Sequence, residues 1–284
     1  MHDRVFTSTG AFRSRRLDEI LDEAAASGVE RVELSSGVAF EPDLLEIVRR
    51  RKSAFSFLVH NYFPAPERPF VLNLAALDRE GLDRSKAHCR QAIDLCVEVG
   101  CDLYTVHGGF AAQLKPHELG RVLPRHDPSL RDSAWAAFVD TVGELTEHAR
   151  SRGVRFVIEN NVVAPFNLRD GLHPLLFADP GDAKLLADTI ASPWLGFLVD
   201  VGHLKVSART LGFSEDAFFD ALGDRIYAFH LSDNDGTEDS NQPFFEDAWF
   251  IDRLRAYPDA IRIVEAYRLE PDMLARCLAV ASSV

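Results

Sequence analysis

Residues 195–203 read LGFLVDVGH, an apolar run of strand-forming residues that stops on Asp200. The same shape recurs on both sides of it. FSFLVH ends on His60, LYTVH on His107, RFVIE on Glu159, IYAFH on His230 and IRIVE on Glu265. From one ending to the next the chain advances 47, 52, 41, 30 and 35 residues, each about the length of one strand-plus-helix unit. A single histidine or acid at a strand end is ordinary. Six in succession put imidazoles and carboxylates at the same end of six neighbouring strands, where they would repel or stay unpaired without a cation.

Between these runs the apolar spacing turns helical, and the alternation of strand and helix predicts a parallel sheet with crossover helices. Strands are expected at Val5–Ser8, Arg31–Leu34, 55–60, Leu103–His107, Arg155–Glu159, Leu195–Asp200, 226–230 and 262–265. Helices are expected over 16–27, 42–51, 83–99, 129–152, 181–190, 214–222, 245–256 and 271–280, with Pro42 in a first turn where its missing N–H costs little. Eight strands and eight helices without a linker or a change in composition predict one domain, 1–284, of class α/β: a single (β/α)8 TIM barrel. In such a barrel the loops after the strands build the active site. Two of those loops, 108–128 and 160–180, are long enough to cap it.

The net charge of −13 disfavours nucleic acid, which is normally bound through clustered Lys and Arg. No apolar stretch approaches the roughly 20 residues of a membrane span. The opening MHDRVFTSTG has no basic region followed by an apolar run, so no secretory signal is expected. Cys89, Cys96, Cys101 and Cys277 lack metal-ligand spacing and are expected to be buried, reduced thiols of a cytoplasmic protein.

Glu159, Asp200, His230 and Glu265 form the expected metal set. His60 and His107 are accessory: extra ligands or hydrogen-bonding contacts to substrate. Mixed carboxylate and imidazole donors suit Mn²⁺, Zn²⁺, Co²⁺ or Fe²⁺ better than Mg²⁺. One divalent ion is expected, with room for a second. In DVGH, His203 follows Asp200 by three residues, and Gly202 is read as a turn between them. After His230, Asp233 and Asn234 are candidates to fix its ring or to orient substrate. Lys115, Arg121, Arg125, Arg169 and Arg268 are candidate grips for a phosphate or carboxylate, Arg268 foremost. Phe12, Tyr62, Phe63, Phe110 and Trp249 are candidates for an apolar wall.

VIEN at 157–160, DVGH at 200–203, HLSDNDGT at 230–237 and IVEAY at 263–267 resemble, in this order, the xylose isomerase-like barrel superfamily. That superfamily holds sugar and sugar-phosphate isomerases and epimerases, dehydratases and the endonuclease IV type of repair enzyme. The resemblance runs from about Val5 to Arg268. It implies a Glu–Asp–His–Glu metal quartet at Glu159, Asp200, His230 and Glu265, and a substrate or second-metal histidine at His203. The segments around His60 (HNYFPAPERPFVLNLAA) and His107 (VHGG) resemble those that supply extra metal histidines to the endonuclease branch. That branch also needs Asp-x-His after the seventh strand, where this chain has Asp239-Ser240-Asn241. The arginine that ketose epimerases carry shortly after the seventh-strand histidine is also absent.

These features predict a cytoplasmic, metal-dependent isomerase or epimerase acting on a small sugar or sugar phosphate, with no nucleic acid or membrane partner. A homodimer is compatible with the sequence. A metal-stabilised enediolate is expected, with Glu159 and Glu265 moving the proton and the cation lowering their pKa values so that both are ionised near neutrality. An endonuclease IV-like phosphodiesterase, a dehydratase or lyase, and a non-catalytic barrel are the alternatives on the same scaffold.

Overall fold

The computed structural model describes residues 4–124 and 126–284. Eight strands close into an all-parallel barrel in sequence order. They are β1 Val5–Ser8, β2 Arg31–Leu34, β3 Ser56–His60, β4 Leu103–His107, β5 Arg155–Glu159, β6 Leu195–Asp200, β7 Ile226–Leu231 and β8 Ile261–Val264. Closure comes from β1 against β8, with Val5, Phe6 and Thr7 level with Arg262, Ile263 and Val264. The strands are buried almost end to end, as expected of a sheet covered on both faces.

The expected (β/α)8 barrel is therefore the observed fold, with three local corrections. Nine α-helices, not eight, lie among the described residues: α1 Leu17–Ala26, α2 Leu44–Arg51, α3 Arg79–Val99, α4 Arg131–Ser151, α5 Pro180–Thr189, α6 Val201–Leu211, α7 Glu215–Leu222, α8 Ile251–Leu254 and α9 Pro271–Ser282. The unexpected one is α6. Asp200 both ends β6 and caps α6, its Oδ1 accepting from the His203 N–H at 2.7 Å. Gly202 thus lies in a first helical turn, not in a bend. A Cβ there would come within 2.7 Å of the Ser232 hydroxyl, so the helix packs against the end of β7 only with glycine in place.

The helix expected over 245–256 shrinks to the four residues of α8. Phe244 and Phe250 are fully buried and face each other with ring centroids 5.5 Å apart. Between them the chain forms turns and irregular segments, and the helix begins only at Ile251. Pro42 lies before α2, whose N-cap is Asp43. All four cysteines are unpaired and buried.

Candidate active site

Register sets the site. In the parallel ladders His107 is level with Glu159 and Asp200 is level with His230, so neighbouring strands deliver these side chains at one height. His230 is the penultimate residue of β7, and Glu265 follows the last residue of β8. The structure brings Glu159, Asp200, His230 and Glu265 together. One donor atom from each lies within 4.8 Å of all the others. His230 Nδ1 faces Glu265 Oε2 at 2.7 Å, Glu159 Oε1 at 3.3 Å and Asp200 Oδ2 at 3.9 Å.

This set fits a divalent cation on a test internal to the structure. Glu159 Oε2 and Asp200 Oδ2 are buried and accept no hydrogen bond. Burying carboxylate oxygens without donors is expensive, and a cation between them removes the cost. Imidazole with three carboxylates is a donor set for Mn²⁺, Zn²⁺, Co²⁺ or Fe²⁺.

Without a cation the four groups differ in protonation. Burial pushes the Glu265 carboxyl up to about 8 and that of Asp200 up to about 6. Burial also opposes ionisation of Glu159, but His107, His230 and His60 outweigh it and hold this carboxyl far below the usual range. His230 loses by burial and regains more from Glu265, Glu33 and Glu159, so it keeps its proton well above ordinary histidine pH. The two glutamates therefore do not share one protonation state in the metal-free molecule; the expectation that both are ionised near neutrality belongs to the cation-bound site.

His60 and His107 approach the orphaned Glu159 oxygen at 3.5 and 3.4 Å. Thr105 Oγ1 lies 2.8 Å from His60 Nδ1 and leaves Nε2 facing the site. His60, His107 and Glu159 make a second group able to hold a cation. His203 is spent on its surroundings. Its Nδ1 meets the Asn160 carbonyl at 2.8 Å and its Nε2 meets Asp239 Oδ2 at 3.2 Å. Asn241, at the position where the Asp-x-His pattern has histidine, donates to Asp239 Oδ1 at 2.9 Å and so fixes His203's partner.

Sequence reasoning missed Glu33. It is fully buried in β2, and its Oε2 lies 2.9 Å from His230 Nε2. The bond turns the ring so that Nδ1 faces the three carboxylates, the usual task of an acid behind a metal-binding histidine. The signal was present: an acid at the penultimate place of a strand, where β7 carries His230. Asp233 and Asn234, offered for that task, sit elsewhere. Asp233 pairs with Lys205 at 2.7 Å. Asn234 donates to the Gly202 carbonyl at 3.0 Å and accepts from the Gly236 N–H at 2.9 Å.

The site opens into a cavity of about 840 Å³ lined by both long loops. Phe12, Tyr62 and Phe110 line it, as do Arg121 and Arg268. Phe63 is core, and Trp249 packs on Phe250. Arg169 instead donates to the Leu123 carbonyl at 2.9 Å, tying one loop to the other. Lys115 is exposed and outside the lining, and Arg125 lies outside the described residues.

Comparison with known proteins agrees with the barrel fold. The family described as xylose isomerase-like TIM barrel matches residues 19–272. Fructoselysine 3-epimerase of Shigella flexneri is 24% identical over 285 residues, 92% of this chain and 90% of that one. A D-tagatose 3-epimerase-like protein superposes with a TM-score of 0.72 at 18% identity, covering 99% of this chain and 98% of the other. A Thermus thermophilus protein soaked with ZnCl2 gives 0.65 at 22% identity, also over 99% and 98%. At such identities the structural likeness speaks for the fold alone.

Proposed function

Because the chain belongs to the xylose isomerase-like TIM barrel family, we propose that it is a metal-dependent isomerase or epimerase acting on a small sugar or sugar phosphate. The observation that carries the reading is the pair of buried, donorless oxygens on Glu159 and Asp200, set among His230 and Glu265. Those four residues would hold the ion, with His60 and His107 as accessory ligands or substrate contacts. When bound, a divalent cation polarises a neighbouring carbonyl and so acidifies the adjacent C–H.

The chain's own part is proton transfer. Glu159 and Glu265 come from strands three positions apart around the barrel, so they reach a substrate from different sides. One removes the C–H proton, and the other returns a proton to the opposite face of the resulting enediolate. Glu33 holds His230 in register throughout. His60, His107 and His203 line the cavity where sugar hydroxyls would lie. The name of the Shigella flexneri relative supports sugar epimerisation, and the unpaired cysteines suit a reducing, cytoplasmic setting.

The test is metal-loaded protein with a panel of ketoses and their phosphates in deuterium oxide, read by NMR. Exchange at one C–H without hydrolysis is expected, and Glu159→Gln or Glu265→Gln should abolish it. Activity within about tenfold of wild type in either variant would sink the assignment. The His60–His107–Glu159 group favours one second reading, a two-metal phosphodiesterase. Two bound ions per chain together with phosphodiester cleavage would establish that instead.

A further inference from the structure

The cavity exceeds what proton transfer at its floor requires. Pockets of about 300–1,000 Å³ hold drug-sized ligands, and this one, at about 840 Å³, is near the upper end. Its lining is also divided. Histidines and acids occupy the floor, whereas the loops after β4 and β5 present Leu114, Leu119, Leu123 and Phe166, joined by Phe70 and Phe110. Leu119 and Phe166 are 45% and 42% exposed, so they face the cavity opening instead of filling a core.

This wall is held in place by buried polar groups. Asn167, 8% exposed, accepts from the Leu123 N–H at 2.8 Å and donates to the Arg121 carbonyl at 3.3 Å. Phe110 and Leu175 bridge the two loops as a short antiparallel pair. Asn161 donates to the carbonyls of Gly108, Gly109 and Leu176 at 2.7–3.0 Å. Two loops are thus cross-tied with an apolar surface turned to water. Sugar hydroxyls gain nothing there, because a polar group pressed on apolar side chains loses its water partners. A ring-sized apolar group gains both burial and edge-to-face contact with the phenylalanines.

We propose that the substrate is a sugar conjugate: its sugar part, which keeps a free ketone, reacts at the floor while an aromatic group attached away from that ketone lies against Phe110, Leu119 and Phe166. The inference rests on the sugar chemistry proposed above and specifies its substrate class.

The test compares binding of phenyl β-D-glucopyranoside, methyl β-D-glucopyranoside and glucose 6-phosphate to the metal-loaded protein by calorimetry. The phenyl glycoside should bind about tenfold or more tightly than the methyl glycoside. Phe166→Ser and Leu119→Ser, both at exposed positions that tolerate polar side chains, should cut that ratio below about threefold. Equal affinities, no binding of either glycoside, or a ratio unmoved by the variants would overturn the proposal. So would tightest binding of glucose 6-phosphate that disappears in Arg268→Gln, which would make the outer cavity an anion site. Sedimentation covers the remaining occupant: a wild-type dimer that the two variants convert to monomer, with the phenyl-to-methyl ratio unchanged, also overturns it. The deuterium-exchange assay is read separately. With a ketone-bearing phenyl glycoside added to the exchange panel, a phenyl preference without exchange sinks the epimerase reading and leaves the subsite, whereas exchange without the preference does the reverse.

Discussion

Beneath the cavity, which Glu265 alone of the four lines, Glu159, Asp200, His230 and Glu265 are at most 7% exposed, and their donor atoms crowd within 4.8 Å. On the wall above, Leu119 and Phe166 are 45% and 42% exposed. The two regions depart from ordinary protein composition in opposite directions: charge where water is absent, apolar surface where water is present. Each departure would be relieved by a ligand of matching chemistry, as proposed above: a cation below and an apolar group above. What differs is the support. The floor hangs from strand ends whose register is set by ladder hydrogen bonds, while the wall depends on a few asparagine side chains bridging loops.

The sharpest way to break this comparison is to remove one charge from the floor. Asp200→Asn keeps the α6 cap, since Asn serves as well as Asp there, but takes away a carboxylate. Metal affinity should fall by more than the roughly 10–100-fold typical of losing a ligand's outer partner. Metal-free stability should move the other way. Burial pushes Asp200 up to about 6, above its unfolded value, so its contribution is fully present below pH ~4 and lost as pH rises through about 6. At pH 7 the ionised carboxylate costs on the order of 3 kcal/mol. In chelator, melting at pH 5 and pH 8 should therefore show Asp200→Asn gaining on wild type at the higher pH. A variant equally stable and equally able to bind metal would remove the account of the floor as carboxylates buried at a cost.

Glu33→Gln sharpens the comparison by testing how the floor is held. Gln still fits behind His230 but no longer draws the ring nitrogen with a charge. Metal affinity, read by competition with a chromophoric chelator, should drop about 10–100-fold. An affinity within about twofold of wild type would make Glu33 a bystander.

The floor was legible in the sequence because strand geometry carries information at short range. An acid or histidine that ends an apolar run must project at the rim, and the barrel's closure then assembles all of them. Hence Asp200, His230 and their partners were found without coordinates. Glu33 was passed over because it stands one place before the end of β2, although β7 places His230 in the same way. α6 was missed because one residue, Asp200, serves as both strand end and helix cap, and Gly202 next to it reads as a turn. The wall was the least legible. Leu119 and Phe166 lie in loops without periodicity, and the links from Asn161 and Asn167 to the loop after β4 cross 44 to 53 positions of sequence. Asn241 carried a partial message: the departure from histidine was visible, but its bond to Asp239 was not.

The smallest expected effect concerns how the wall is braced from beneath. The His88 ring lies 5.3 Å from Tyr62 and 5.7 Å from Phe70, both of which line the cavity, and its Nε2 is 3.3 Å from the Asn61 carbonyl. Burial pushes His88 down to about 4, below its unfolded value. For a histidine held neutral in this way, stability is fully present above pH ~6.5 and lost as pH falls toward 4. At pH 5 the loss should be about 1–2 kcal/mol, or a few degrees of melting temperature for a chain of this size. His88→Gln can still donate to the Asn61 carbonyl but does not titrate. Its melting temperature should therefore fall less than that of wild type between pH 7 and pH 5, while His107 and His173, also pushed down to about 4 by burial, act alike in both proteins. Parallel melting curves across that range would mean that His88 takes up its proton in the folded chain as readily as in the unfolded one, and that the wall's base carries no proton-linked stability of its own.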